Sequence, residues 1–188
     1  MTDIPTLLTP RLTLRAQRPD DTEPLMAAFA DEGFSRFITR ERRALSRAEA
    51  WRPIAVVPGM WAANGYGNWM VEERATGQPV GRLGPWNPEG WPDFEIGWSI
   101  FPQHQGKGYA AEGAAAALAW VRETLGRDYV IHLIDPANTA SEKVATRLGA
   151  TLTGSWDIPD VGSVNIWTTR WENFTRTEIY AQHLSAGA

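Results

Sequence analysis

The stretch Gln103-His104-Gln105-Gly106-Lys107-Gly108-Tyr109-Ala110 has residue types and spacing suited to holding a charged ligand. Two glycines let a backbone turn sharply and approach a ligand closely. The stretch ends where a helix begins, so the first unpaired N–H groups of that helix point out of it. The helix macrodipole adds about half a positive charge there, a combination that binds phosphate or pyrophosphate. The loop is not a Walker loop, since no Gly-Lys-Ser/Thr follows, and it is not G-x-G-x-x-G. Taken alone it reads equally well as a tight turn. Two further groups stand near it in sequence. Glu95 is a carboxylate inside an apolar run, with the chemistry of a general base. Asn138 and Ser141 open a later helix, Asn138 as a cap and Ser141 as a hydroxyl.

The elements that must position these groups follow from hydrophobic periodicity. Residues 94–101 read as a strand that Pro102 ends, and 109–125 as a long alanine-rich helix stopped at Gly126. Residues 129–134 read as a second strand. Strand, helix and strand within about forty residues predict a parallel pair with a right-handed crossover. Residues 138–148 form a helix stopped by Gly149. Before this block, 11–15 alternate as a strand, 23–30 form a short helix, and Ser46 with Glu49 makes a capping box. Pro53 is expected to kink or shorten the helix that follows. Residues 68–73 and 79–83 pair as a hairpin across Ala75–Gln78. After it, 151–156 and 164–170 read as strands, and Thr175 with Glu178 as a capping box for a short terminal helix.

Composition narrows the classes. The chain has 188 residues, a length suited to one domain. It has no cysteine, which excludes disulfides, cysteine-ligated zinc and a cysteine nucleophile. Its three histidines are far apart and show no metal-ligand spacing, so no metal site is expected. A formal net charge of −4 argues against direct nucleic-acid binding. The start lacks a basic end followed by an apolar run, and the longest near-apolar stretch, 113–121, is too short to span a bilayer. The expectation is a cytoplasmic protein with no membrane partner. A homodimer is left open.

The segment Glu95-Ile96-Gly97-Trp98-Ser99-Ile100-x-Pro102-x-x-Gln105-Gly106-Lys107-Gly108-Tyr109-Ala110-x-Glu112, followed by Asp135-Pro136-x-Asn138-x-x-Ser141, resembles the acetyl-CoA-binding half of the GNAT N-acetyltransferase superfamily. Gln103, Gly106 and Gly108 meet its Q/R-x-x-G-x-G/A motif. Leu8-x-x-Arg11-Leu12-x-Leu14-Arg15 and Trp69-x-Val71 with Gly77-x-x-x-Gly81 resemble the RimJ/RimL-like branch, which acetylates N-terminal amines of ribosomal proteins. The resemblance implies one domain over 1–188, with an α/β fold. Its mixed central sheet of about seven strands is splayed between strands four and five and flanked by helices.

The resemblance also implies roles. The backbone N–H of Trp98 would polarise the acetyl oxygen, and Ile100 would pair with the pantetheine amides. Backbone N–H groups from Gln105 through Gly106, Lys107, Gly108 and Tyr109 to Ala110 would hold the pyrophosphate of acetyl-CoA, with Gln103 opening the motif. Asn138 would contact CoA, cap its helix, or do both. Many members place a tyrosine seven residues after this asparagine as the acid for the leaving thiolate. Here that residue is Ala145, and Ser141 takes the assignment, against the alternative that it only bonds backbone N–H groups. Some members carry a base at the position of Phe94. Glu95 is one residue off, which in a regular strand reverses the face, unless a bulge restores it. Asp157 and Asp160 are other candidates for that base, with turn formation the favoured reading of both.

The acceptor side is less defined. An α-amine of pKa near 7.7–8 is roughly a third neutral at pH 7.5, against roughly 0.1% for a lysine. With no evident strong base, the chemistry suits a protein N-terminal amine or another weakly basic primary amine. Between Arg36 and Arg52 six arginines face two acids, a surplus fit either to a carboxylate-bearing acceptor or to a solvated face. Trp61, Trp86 and Trp91 flank turns and could line an aromatic cleft. A small-molecule amine, another acyl-CoA, or a CoA-binding module without catalysis are the alternatives.

Overall fold

The computed structural model describes residues 3–159 and 161–186. Its eight strands are β1 (Leu7–Leu8), β2 (Leu12–Arg15), β3 (Trp69–Glu73), β4 (Gln78–Trp86), β5 (Glu95–Ile100), β6 (Tyr129–Ile134), β7 (Thr151–Ile158) and β8 (Gly162–Arg170). The helices are α1 (Thr22–Phe29), α2 (Glu32–Ser35), α3 (Arg47–Asn64), α4 (Tyr109–Leu125), α5 (Thr139–Arg147), α6 (Trp171–Phe174) and α7 (Glu178–Ala186). The strands form one sheet in the order β1-β2-β3-β4-β5-β6-β8-β7. All neighbours are antiparallel except β5 and β6. The sheet is therefore mixed, as expected, with one strand more than seven because Leu7–Leu8 adds to its edge.

Each face of the sheet carries its own apolar layer. Leu12, Leu14, Val71, Val80 and Leu83 pack on one face against α4. That approach is close because α4 presents small residues. A Cβ on Gly113 would lie 2.5 Å from Leu83 Cδ2, and Ala114–Ala117 are buried. The alanine run thus serves packing as well as helix propensity. On the opposite face Leu25, Phe29, Phe34, Ile54, Met70 and Phe101 join α1 and α3 to the sheet. No helix among the described residues is long and apolar enough to cross a membrane.

Two local expectations are corrected. Ser46 and Glu49 cap α3 reciprocally, but the helix continues through Pro53 and Pro58 to Asn64. Ile54, Val57 and Trp61 are buried along it, and that burial outweighs the hydrogen bonds the prolines remove. At the C-terminal end the cap is Thr177, whose Oγ1 accepts from the Tyr180 N–H. Thr175 instead donates to the Trp171 carbonyl within the preceding turn.

Candidate active site

The site is built where β5 and β6 part. β5 pairs continuously with β4, from Trp86 opposite Glu95 to Gly81 opposite Ile100. One step further, the Phe101 N–H donates to the Val80 carbonyl. Antiparallel ladders alternate bonded and non-bonded pairs. Ser99, Gly97 and Glu95 therefore take the bonded positions toward β4. Ile96, Trp98 and Ile100 turn their backbone groups to the other side. Pro85, which has no N–H to give, sits opposite Ile96, as that alternation requires.

On the β6 side the pairing lasts for one register position, Glu95 opposite Ile131. Two side chains then replace the ladder. His132 Nδ1 bonds the Ile96 carbonyl at 2.7 Å, and the Leu133 N–H donates to Glu95 Oε1 at 3.1 Å. A carbonyl only accepts, so Nδ1 carries the proton and Nε2 accepts from the Thr169 hydroxyl at 2.9 Å. Burial holds His132 down at about 4, so it stays neutral at pH 7. Beyond this wedge the N–H groups of Trp98 and Ile100 face a widening gap. The Gln105 side chain takes the Ile100 carbonyl at 3.0 Å.

Two hollows meet at that gap. One, of about 450 Å³, runs past Ile100, Gln105, Gly106, Gly108, Tyr109 and Ala110 to Lys143 and Arg147. The other, of about 270 Å³, is lined by Arg82, Trp86, Trp91, Glu95, His132 and Asp135. They share Phe37, Ile38, Trp98, Ser99, Asn138 and Ser141. A group entering from each side would meet at Trp98.

The glycine loop supplies the floor of the larger hollow. Gly106 (φ 76°) and Gly108 (φ 83°) are both left-handed, and Gly108 caps α4. Successive N–H groups in such turns form an anion-binding concavity. The loop is anchored from outside. The Lys107 carbonyl accepts from Arg11 Nη1 at 3.0 Å, and Arg11 Nε is held by Glu112 at 2.7 Å. The Tyr109 hydroxyl donates to Glu73. Gln103 and the Lys107 side chain lie apart from the larger hollow: Gln103 lines a depression beside Pro24 and Ala27, and Lys107 one beside Arg11 and His183.

Asn138 Oδ1 accepts from the Ser141 N–H at 3.1 Å, so Asn138 caps α5. Ser141 Oγ accepts from the Trp98 indole at 3.2 Å rather than binding backbone. The Trp98 ring also leans on His132, with centroids 4.9 Å apart. Ala145 is fully buried beside Ile134 and Ala150.

Glu95 enters the smaller hollow without a bulge. Phe94 faces the α4 layer, and the adjacent Glu95 points to the opposite face. The residue is 8% exposed, and its carboxylate accepts from Trp91 Nε1 at 2.8 Å as well as from the Leu133 N–H. Burial pushes its pKa up to about 7, against the pull of these two donors. Trp91 packs edge-on against Trp86 and Trp156, at 6.5 and 5.2 Å between centroids. Trp61 is not a cleft residue. It is buried against Trp69 and Trp120 and donates to the Asn68 carbonyl. Asp157 is exposed and lines neither hollow, and Asp160 lies outside the described residues.

The arginine run is mostly spoken for. Arg42 pairs with Asp135, Arg43 with Glu49 and Arg47 with Glu23. Arg40 donates to the Pro159 carbonyl at 3.0 Å and lines the smaller hollow. The arginine that sequence reasoning missed is Arg82, isolated in β4 and 8% exposed at the same hollow. Its one sequence signal is a charge in an otherwise apolar strand.

A family model described as an acetyltransferase (GNAT) domain matches residues 11–151. Protein YkkB of Bacillus subtilis (strain 168) is 37% identical over 89 residues. That match spans 45% of this chain and about half, 52%, of YkkB. The crystal structure of the acetyltransferase from Agrobacterium tumefaciens str. C58 superposes with a TM-score of 0.78 at 28% identity, covering 89% of this chain and 95% of that one. AAC(6')-Ib, solved with ribostamycin and coenzyme A, shares the fold at a TM-score of 0.73 and 16% identity, over 89% and 97% of the two chains.

Proposed function

The chain belongs to the acetyltransferase (GNAT) family, and we propose that it moves an acetyl group from acetyl-CoA directly to a primary amine. The observation that carries this reading is the meeting of two hollows at Trp98, where β5 has turned backbone N–H groups away from β4 to a side on which β6 no longer pairs with it. The larger hollow takes acetyl-CoA. The N–H groups from Gln105 to Ala110 hold its pyrophosphate, and Ile100 pairs with the pantetheine arm. AAC(6')-Ib, of the same fold, was solved with coenzyme A bound, which supports this choice of cosubstrate.

Each step then has a group suited to it. The Trp98 N–H aims at the thioester oxygen as negative charge develops there. The amine nitrogen attacks the carbonyl carbon, the carbon–sulfur bond breaks, and the amine's proton leaves for Glu95. Glu95 lies three residues from Trp98, about 10 Å along a strand, so that proton travels through water. A carboxylate whose pKa burial raises to about 7 is suited to this work at neutral pH. Ser141, on the shared wall and donated to by Trp98, passes a proton to the departing thiolate and regains one through water from the protonated Glu95, which restores both groups. With no cysteine in the chain, transfer proceeds in a ternary complex rather than through an acetyl-cysteine.

The resemblance to the RimJ/RimL-like branch supports a protein N-terminal amine as acceptor. The hollow of about 270 Å³, walled by Trp86 and Trp91, favours a small-molecule amine. The test is thiol release from acetyl-CoA with a panel of peptides and small amines, alongside calorimetric binding of acetyl-CoA. Acceptor-dependent release above the hydrolysis rate is expected. Tight acetyl-CoA binding with no release for any acceptor would leave a CoA-binding module instead.

A further inference from the structure

Arg82 and Arg15 are the two arginines among the buried polar residues, and the fold treats them differently. Arg15 is held by Asp21 through two bonds of 2.8 and 2.9 Å and by Glu72 at 2.6 Å. Arg82 has no acidic partner among the described residues. Its Nη1 donates to the Pro53 carbonyl at 2.8 Å, and its guanidinium lies over the Phe29 ring, 5.0 Å from the centroid. Its Nε is buried with no acceptor, and no bond from Nη2 to a described residue exists. The Nε–Nη2 edge of a guanidinium grips a carboxylate through two parallel bonds. Of that edge Nε is shut from solvent, whereas Nη2 is unpartnered and open, so Nη2 is the nitrogen that can meet a group in the hollow.

A guanidinium remains charged at neutral pH, and desolvation that lowers Arg82 to about 10 does not change this. Buried charges in proteins are matched by counter-charge. Here the counter-charge must come from what enters the hollow. Arg82 stands opposite Ser99 in the β4–β5 register, beside Trp98, while Glu95 lies four residues further along β5. At the strand rise this separates the two positions by about 13 Å. The hollow therefore offers a cation at one end and a carboxylate with two indoles at the other. With the amine at the thioester beside Trp98, the cation at Arg82 is placed for an anion a few bonds away on the same molecule.

We propose that the acceptor is a small primary amine that also bears a carboxylate, and that Arg82 receives that carboxylate. The proposal rests on the acetyl-transfer reading of the same site. It moves carboxylate recognition from the run Arg36–Arg52, in which Arg42, Arg43 and Arg47 already pair with acids, to one residue of the sheet.

The test compares 3- and 4-(aminomethyl)benzoate with the corresponding primary amides, which keep the amine and remove the charge. Thiol release gives kcat and KM for the wild type, Arg82→Met and Arg82→Lys. The wild type is expected to favour an acid over its amide by about tenfold or more in kcat/KM. Arg82→Met brings that ratio near one, mainly through KM of the acid, and Arg82→Lys keeps part of it. A wild-type ratio within about twofold for both pairs, or a preference retained in Arg82→Met, overturns the proposal. Thermal shift of the wild type loaded with CoA needs neither turnover nor a folded variant. The acids must raise its Tm and the amides must not; equal shifts overturn the proposal independently. If no amine is acetylated but the acids alone bind, acetyl transfer fails while the role of Arg82 stands.

Discussion

The two sides of the β5–β6 gap are made of different materials. On the cofactor side the functional groups are backbone: left-handed glycines at 106 and 108, the N-terminus of α4, and the turned-out N–H groups of Trp98 and Ile100. They are contiguous in sequence. On the acceptor side the groups are side chains from separated segments: Arg82 and Trp86 from β4, Trp91 from the turn after it, Glu95 from β5 and Asp135 from the end of β6. Backbone recognition depends on local conformation, so it tolerates side-chain change and suits a ligand shared across a family. Side-chain recognition depends on which charges and rings the fold brings together, so it is where one chain differs from its relatives.

The sharpest way to break that contrast is to put a side chain where the site uses backbone. Gly108→Glu forces a left-handed residue with a Cβ, costing about 1–2 kcal/mol, and adds a negative charge to the anion cradle. A Cβ there meets Arg11 Nη2 at 3.5 Å and nothing closer, so the protein has room to fold. Acetyl-CoA affinity is expected to fall about a hundredfold or more. Isothermal calorimetry on the folded variant checks this, and affinity close to wild type would remove the loop from the site.

The next effect tests the acceptor side. Glu95→Gln removes the proposed base, and kcat/KM is expected to fall by about 10², with acetyl-CoA affinity retained. The wild-type rate should rise with pH through a midpoint near 7, and the variant should lack that limb. Stability gives a second readout. Folding raises the Glu95 pKa, so the native state favours the neutral acid. The cost of ionising it is absent below about 4.5 and complete above about 7, up to about 3 kcal/mol. Denaturation across pH 4 to 8 should show the wild type losing stability relative to Glu95→Gln as pH rises. Parallel curves would refute the burial argument.

The same contrast explains what was legible in the sequence. The helix over Tyr109–Leu125, the strand over Tyr129–Ile134, their parallel pairing and the Asn138 cap all follow from local periodicity and punctuation. The acceptor side does not. In Val80-Gly81-Arg82-Leu83 a single charge stands in an apolar run, and no alternation marks which face it takes. Here α3 covers that face, and a strand's own pattern carries no record of what packs on it. Pro53 was the local signal for a shortened helix, yet the buried run from Ile54 to Trp61 carries α3 through it. The one-residue offset of Glu95 was read against Phe94. The structure puts the hollow on the other face of β5, where an offset residue belongs.

A smaller effect is expected where the two sides touch. Ser141→Ala removes the acceptor of the Trp98 indole and the proposed acid together. Turnover is expected to drop by about tenfold, at the low end of general-acid effects, while acetyl-CoA binds as in the wild type. Stability should fall by about 1 kcal/mol for the lost hydrogen bond. Turnover equal to wild type would leave Ser141 as a partner for Trp98 and nothing more.

The smallest expected effect isolates one hydrogen bond on the acceptor side. Trp91 Nε1 donates to Glu95 Oε2 at 2.8 Å and favours the ionised carboxylate, opposing the upward pull of burial. Trp91→Phe keeps an aromatic ring against Trp86 and Trp156, though a smaller one, and removes the donor. A bond to a charged group worth about 1.5 kcal/mol corresponds to about one pH unit. The midpoint of the rising limb should therefore move to higher pH by up to that amount, with the high-pH rate close to wild type. A limb set by the amine's own ionisation would not move in Trp91→Phe, because the amine is the same. The direction of the shift thus separates titration of Glu95 from titration of the acceptor, which the Glu95→Gln rate alone does not do.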